Sequence, residues 1–197
     1  MSSPPAPPLL LASTSPQRRA ILEQLQLPFD VVAPRYEERD EPGLTPQEVV
    51  RERARGKAKS VAELAGDRPV LGVDTEVVCG GRVHGKPATA AGAEAMLEAL
   101  AGRTHQVISG LCLLTSAWEE VRDEVTRVTF RVLTPRELGI YVARGEWQGR
   151  AGGYAVQGLG ARLVERIEGD YLNVVGLPSA LLCTLLAERF PGVYGLG

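Results

Sequence analysis

A hydroxyl-rich turn followed by two arginines is the first segment that could do chemistry. It reads Ser13-Thr14-Ser15-Pro16-Gln17-Arg18-Arg19 and follows a short apolar run. Ser15 is typical of a helix N-cap, and Pro16 of the first helical position. The helix dipole favours acids in this turn, so two arginines there indicate a bound anion. An ordinary capped helix with solvated arginines explains the segment equally well.

Two acidic residues interrupt an apolar run further along, in Val73-Asp74-Thr75-Glu76-Val77. In a strand, the side chains of Asp74 and Glu76 lie on one face, roughly 7 Å apart. Acids are costly to bury unless they are paired or hold a metal ion. We expect this face to line a polar cleft, with Gly72 clearing space beside Asp74, which would hold a metal or activate water. A solvated edge strand is the alternative.

Basic residues occur both in a constrained turn and in a longer run. The turn is Gly85-Lys86-Pro87, which follows a predicted hairpin, and its lysine matters only if the hairpin brings it near Asp74. The run is Arg51-Glu52-Arg53-Ala54-Arg55-Gly56-Lys57-Ala58-Lys59. Basic residues at every second position spread around a helix, so most of them should be solvated, which leaves room for one that points inward.

A glycine-rich stretch lies in the last third of the chain and reads Gly149-Arg150-Ala151-Gly152-Gly153-Tyr154-Ala155-Val156-Gln157-Gly158. Its spacing matches neither a dinucleotide-binding turn nor a P-loop. Glycines around one Tyr and one Gln are consistent with a loop pressed against a flat ligand, to which Gln157 offers both a donor and an acceptor. A flexible connection is the alternative.

Composition excludes several classes of protein. The 197 residues hold 22 Lys and Arg against 24 Asp and Glu, and this near balance disfavours general binding to nucleic acid or membrane surfaces. With 2 His and 3 Cys, neither a zinc site nor a disulfide framework is expected, so a metal ion would sit on oxygen ligands as magnesium or manganese. No run approaches the roughly 20 apolar residues of a membrane span, and we expect a cytoplasmic protein.

Hydrophobic patterning predicts an α/β protein with a mixed sheet rather than a purely parallel one. Residues 1–8 are expected to be a disordered, proline-rich tail, and residues 9–197 a single domain. The predicted strands cover 9–12, 29–32, 70–78, 82–86, 106–115, 120–133, 161–168 and 171–175. The predicted helices cover 17–27, 45–65, 89–100, 134–145 and 178–190, with Ser15, Thr45 and Thr134 as caps.

Taken together, these segments resemble the Maf family of nucleoside triphosphate pyrophosphatases. No single motif is specific, but they recur in the family's order over nearly the whole chain. The matching stretches are Leu11-Ala12-Ser13-Thr14-Ser15-Pro16-Gln17-Arg18-Arg19, Glu37-Glu38, Gly56-Lys57-Ala58, Gly72-Val73-Asp74-Thr75, Gly85-Lys86-Pro87, Ala151-Gly152-Gly153-Tyr154-Ala155-Val156-Gln157-Gly158 and Val174-Val175-Gly176-Leu177-Pro178.

The resemblance implies a mixed, twisted sheet that floors a cleft between two lobes, as in inosine triphosphate pyrophosphatases. It implies hydrolysis of a nucleoside triphosphate to the monophosphate and pyrophosphate. Asp74 would activate water, and Glu38 and Asp74 would hold a divalent metal ion. The residues implied to bind the substrate are Ser13, Ser15, Arg18, Lys57 and Lys86.

The resemblance to the dTTP/UTP subgroup is carried by Thr75 and Gln157. The chemistry fits that subgroup, since a glutamine amide can donate to O4 and accept from N3–H of uracil or thymine. At Gln17 the subgroup carries arginine, so broader or modified-nucleotide specificity is left open. A nucleotide-binding regulator of septum formation is the alternative from another class. Nucleic acid and membrane are not expected partners, and a homodimer is left open.

Overall fold

The computed structural model describes residues 6–39 and 42–196, so the predicted tail falls partly outside the described residues. The strands are β1 Leu9–Ala12, β2 Phe29–Val32, β3 Val70–Cys79, β4 Arg82–Val83, β5 Thr104–Leu114, β6 Glu119–Phe130 and β7 Val164–Glu168. The helices are α1 Pro16–Gln24, α2 Pro46–Lys59, α3 Ala90–Leu100, α4 Pro135–Ala143, α5 Tyr171–Val175 and α6 Ser179–Arg189. Within the described ranges, no helix is long and apolar enough to cross a membrane.

The sheet is mixed, as predicted. Its strand order is β2-β1-β3-β5-β6-β7, and β4 pairs with β3 beside this path. β1 runs parallel to β2 and β3, whereas β4 is antiparallel to β3 and β7 is antiparallel to β6. Because β3 lies between β1 and β5, the solvated edge strand considered for Asp74 and Glu76 is wrong, and both residues are buried.

The predicted helix starts are confirmed by their caps. The side chains of Ser15, Thr45 and Thr134 each accept a backbone N–H from the first turn of the following helix. At Thr45 and Thr134 a glutamate three residues on completes a capping box. These contacts are local in sequence, and for that reason the residue types alone indicated them.

Residues 171–175 form α5, so the strand predicted there is wrong. The side chain of Asp170 accepts the backbone N–H of Leu172 and caps this short helix. Inside the helix, the buried Asn173 donates to the backbone oxygen of Val107 and to the hydroxyl of Thr126. These tertiary hydrogen bonds outweigh the strand preference of the two valines that follow.

The chain divides into two compact units. The first unit holds the described residues up to Asp74, Ser109–Glu124 and those from Gly176 onward, and the second holds Thr75–Ile108 and Val125–Val175. An apolar cluster of the first unit joins β1 to α2 through Leu10, Ala12, Ala54 and Ala58. The main cluster of the second unit includes Val77, Leu97, Phe130, Tyr141 and Tyr154.

Candidate active site

The turn before α1 is held by its own hydroxyl groups. The Ser13 oxygen accepts hydrogen bonds from the backbone N–H of Ser15, at 3.2 Å, and from the guanidinium of Arg18, at 3.1 Å. The Arg18 Nε donates to the backbone oxygen of Gly176, at 2.9 Å. The Ser15 hydroxyl donates to the amide oxygen of Gln17, at 3.1 Å. The first turn of α1 holds no acid, so its positive end faces no side-chain anion from that turn.

Close packing of α2 against the strands of the first unit depends on two glycines. A Cβ atom on Gly72 would lie 2.1 Å from the backbone oxygen of Ala54, and one on Gly110 would lie 2.1 Å from that of Val50. Gly72 therefore admits the backbone of α2, and the expectation that it clears space beside the acid is wrong. The consequence is that α2 approaches β3 closely enough for side chains of the helix to reach Asp74.

Lys57 of α2 joins two carboxylates of the first unit. Its Nζ lies 2.5 Å from Asp74 Oδ1 and 2.7 Å from Glu38 Oε1. The side chains of Lys57 and Asp74 are 11% and 8% exposed, whereas that of Glu38 is 51% exposed. The structure thus brings together three of the predicted residues, Glu38, Lys57 and Asp74, at an opening to solvent on the Glu38 side.

Arg53 is a fourth member of this group that the sequence reasoning missed. Its Nη1 lies 3.8 Å from Asp74 Oδ2 and 3.9 Å from Glu38 Oε2. Arg53 and Lys57 are four residues apart on one helix, and this spacing places both on the same face. We expected one basic residue of the run to point inward, whereas two of them, Arg53 and Lys57, reach Asp74. Glu38, Arg53, Lys57 and Asp74 are called the Lys57 cluster below.

A further glycine positions the acidic end of this cluster. A Cβ atom on Gly56 would lie 2.2 Å from a ring carbon of Tyr36, so the aromatic ring packs directly against the backbone of α2. Glu38 follows Tyr36 by two residues, and its carboxylate meets Lys57 and Arg53 of the same helix. The packing of Tyr36 on Gly56 thus helps to bring Glu38 to Lys57 and Arg53.

Electrostatics link Arg18 to the same site. Burial lowers the pKa of the Arg18 guanidinium from its ordinary value, while the negative charges of Asp74 and Glu38 act in the opposite direction. Three cations, Arg18, Arg53 and Lys57, thus face two carboxylates. In a chain of net charge −2, this local excess of positive charge favours an anionic ligand.

The donor set fits a hard divalent cation that is bound partly by its substrate. Asp74 Oδ2 is buried and accepts no hydrogen bond from the residues that the structure describes. No group of three or more metal-binding side chains occurs among those residues. Magnesium is commonly held by one or two carboxylates together with substrate phosphates, and Glu38 and Asp74 supply two carboxylates.

The remaining predicted site residues lie in the second unit. Lys86 is exposed after β4, Thr75 is half-buried within β3, and Gln157 is exposed. Their implied roles with the substrate stay predictions. The glycine-rich stretch that carries Gln157 is tied to its surroundings by hydrogen bonds, among them one from the Gly152 N–H to the His84 oxygen at 2.9 Å.

The histidine and cysteine side chains have structural roles. His105 Nε2 lies 2.8 Å from the buried Tyr154 hydroxyl, and its ring packs edge-on against Phe130. Burial lowers the pKa of His105 to about 4, so the ring is neutral at pH 7. All three cysteines are free thiols, and burial raises the pKa of Cys112 to about 12, which leaves it unreactive as a nucleophile.

Comparison with known proteins gives matches over nearly the whole chain. A family model described as Maf-like protein matches residues 8–189. A dTTP/UTP pyrophosphatase of Gloeobacter violaceus is 47% identical over 91% of this chain and 95% of the relative. One of Moorella thermoacetica is 48% identical over 95% of this chain and 97% of the relative. A solved structure, the Ham1 protein of Staphylococcus aureus, is 16% identical with a TM-score of 0.42, over 62% of this chain and 71% of that chain.

Proposed function

The chain belongs to the Maf-like protein family, and on that premise we propose that it hydrolyses dTTP and UTP to the nucleoside monophosphate and pyrophosphate. The substrates are those in the names of its relatives. The observation that carries the proposal is the Lys57 cluster, in which Asp74 and Glu38 meet Lys57 at 2.5 and 2.7 Å. The regulator without hydrolytic activity is not favoured, because the relatives are named as enzymes.

Asp74 is assigned the chemical step. The oxygen of a water molecule forms a bond to one phosphorus of the α–β anhydride, and the bridging P–O bond breaks to release pyrophosphate. Asp74 accepts the proton that the water loses. Its buried oxygen, Oδ2, is suited to this role because it accepts no hydrogen bond from the described part of the chain.

The cations of the first unit are assigned to the triphosphate. Phosphoryl transfer needs positioning and charge neutralisation more than covalent help. Arg18 and Lys57 would bind phosphate oxygens, and the hydroxyls of Ser13 and Ser15 lie at the N-terminus of α1, where backbone N–H groups favour anions. Arg53 would hold the Asp74 and Glu38 carboxylates in place.

Glu38 and Asp74 would hold a magnesium or manganese ion. Two carboxylates suit such an ion when substrate phosphates complete its coordination, and the ion would supply positive charge beside those phosphates. In the second unit, we assign Lys86 to phosphate binding and Thr75 and Gln157 to base selectivity, as the resemblance implies. We further propose that the protein acts on free nucleotides in the cytoplasm, consistent with its net charge of −2, while a homodimer is left open.

The test is pyrophosphate release by the wild-type protein from dTTP, UTP, CTP, GTP and 7-methyl-GTP, each with magnesium, manganese or a chelator. We expect dTTP and UTP to be cleaved fastest and the chelator to abolish release. Faster cleavage of a guanine nucleotide would overturn the substrate assignment. Full activity in the chelator would overturn the metal assignment while leaving the hydrolysis itself in place.

A further inference from the structure

The glycine loop, residues 151–160, exposes a single side chain that can form hydrogen bonds with a base. Residues 152–156 and Gly160 are buried, and the exposed stretch between them is Gln157, Gly158 and Leu159. The other polar side chain of the loop, Tyr154, is buried and bound to His105. Whatever fixes the backbone on either side of Gln157 therefore also fixes where its side chain begins and narrows the directions that its amide can take.

One carboxylate, that of Glu146, holds the backbone after Gln157. Its Oε1 accepts the N–H of Leu159 at 2.9 Å, and its Oε2 accepts the N–H of Gly160 at 2.8 Å. Oε2 also accepts the hydroxyl of Tyr141, at 2.9 Å. The same hydroxyl oxygen accepts the N–H of Ala155, at 3.1 Å. Glu146 and Tyr141 thus bind the loop on both sides of Gln157.

Glycines make this contact close. A Cβ atom on Gly158 would lie 2.0 Å from Glu146 Oε1, and one on Gly160 would lie 2.5 Å from the Ala155 backbone oxygen. A side chain at position 158 would therefore displace the Glu146 carboxylate, and one at position 160 would collide with the backbone of the loop itself. Burial raises the pKa of the Tyr141 hydroxyl, so it remains a donor to Glu146 over the working pH range. The alternative of a flexible connection is therefore wrong for residues 155–160, whose backbone is held by hydrogen bonds.

We propose that Glu146 and Tyr141 are positioning residues that orient Gln157 and thereby set which base the enzyme prefers. The inference rests on the proposed function, in which Gln157 recognises the base. An amide distinguishes bases only if its donor and acceptor ends are held in one orientation, since a freely turning amide accepts several hydrogen-bonding patterns. Loosening the loop should therefore lower selectivity more than it lowers turnover.

The variant Glu146→Gln removes one of the two acceptor oxygens and places an NH2 group among N–H donors. We expect the ratio of kcat/KM for dTTP to that for GTP to fall by about tenfold or more, with kcat for dTTP within about threefold of wild type. Tyr141→Phe keeps the ring and removes only the hydroxyl, so it should lower the same ratio. Glu137→Gln is the matched control, because the hydrogen bonds that Glu137 accepts among the described residues come from Thr134 and Arg131 rather than from the loop.

A double-mutant cycle with Gln157→Ala separates positioning from general loss of structure. If Glu146 acts through Gln157, Glu146→Gln should leave the ratio unchanged once Gln157 has been replaced. An unchanged ratio in both Glu146→Gln and Tyr141→Phe would overturn the inference alone, as would equal losses in the two Gln157 backgrounds. A wild-type protein that releases no pyrophosphate from any nucleotide would overturn the proposed function, and the inference with it.

Discussion

Two polar clusters, one in each unit, differ in charge. The Lys57 cluster of the first unit consists of ions, whereas His105 of the second unit is neutral and pairs with the hydroxyl of Tyr154. Burying ions costs several kcal/mol each, and their mutual attraction often fails to offset this, so a buried ion pair is a weak source of stability. The difference indicates that the first cluster is kept for chemistry and the second for packing.

Replacing Lys57 should disrupt the charged cluster and cause the largest loss of stability. Lys57→Met removes the ammonium group that lies 2.5 Å from Asp74 and 2.7 Å from Glu38, and it leaves Arg53, at 3.8 and 3.9 Å, as the cation next to both carboxylates. We expect unfolding free energy to fall by about 4 kcal/mol and kcat/KM for dTTP by at least about 100-fold. Urea denaturation and pyrophosphate release measure the two effects. Lys59→Met is the control on the same helix, because Lys59 is 56% exposed and should change stability by less than about 1 kcal/mol.

The packing that presents Lys57 can be tested at Gly72. Gly72→Ala places a methyl group against the backbone oxygen of Ala54 and forces α2 away from β3. We expect a loss of about 3 kcal/mol in urea unfolding, accompanied by reduced turnover. Gly139→Ala, in α4 with nothing within 4 Å of the new atom, should instead stabilise by about 0.5 to 1 kcal/mol. Losses of equal size in the two variants would contradict the role given to Gly72.

The neutral pair of His105 and Tyr154 should make the stability of the protein depend on pH. The pKa of His105 is about 4 in the folded protein and about 6.5 in an unfolded chain, so between these values the unfolded state binds more protons. Stability from His105 is therefore complete above about pH 6.5 and is lost as the pH falls towards 4, by about 2 kcal/mol between pH 7 and pH 5. His105→Gln retains a polar partner for Tyr154 but does not titrate, and should flatten this part of the wild-type profile. Parallel profiles for the two proteins would show that His105 does not titrate in this way.

The sequence predicted those features that depend on neighbouring residues. The caps at Ser15, Thr45 and Thr134 and the strands β1 and β2 follow from local residue types. Asp74 was singled out because acids in an apolar run need partners, whereas Lys57 was named only from the family resemblance. Features that depend on distant contacts were missed or misread: α5 is stabilised by the Asn173 hydrogen bonds.

Two errors at the site have the same physical origin. Gly72 was assigned to ligand space, although it admits the backbone of α2, and Arg53 was grouped with solvated residues, although it faces Asp74. Both depend on how closely α2 lies on β3, which residue types on the helix alone do not reveal. The i, i+4 spacing of Arg53 and Lys57 was the signal that could have placed both on the buried face.

The most direct measurement compares Asp74→Asn with Asp123→Asn in pyrophosphate release from dTTP with magnesium. Asp123 of β6 pairs with Arg51 of α2 at 2.8 Å, and it serves as the matched carboxylate outside the Lys57 cluster. If Asp74 accepts the proton of the attacking water, Asp74→Asn should lower kcat by about 1,000-fold or more, while KM changes far less and Asp123→Asn stays close to wild type. Near-normal kcat in Asp74→Asn with magnesium bound would contradict the assignment.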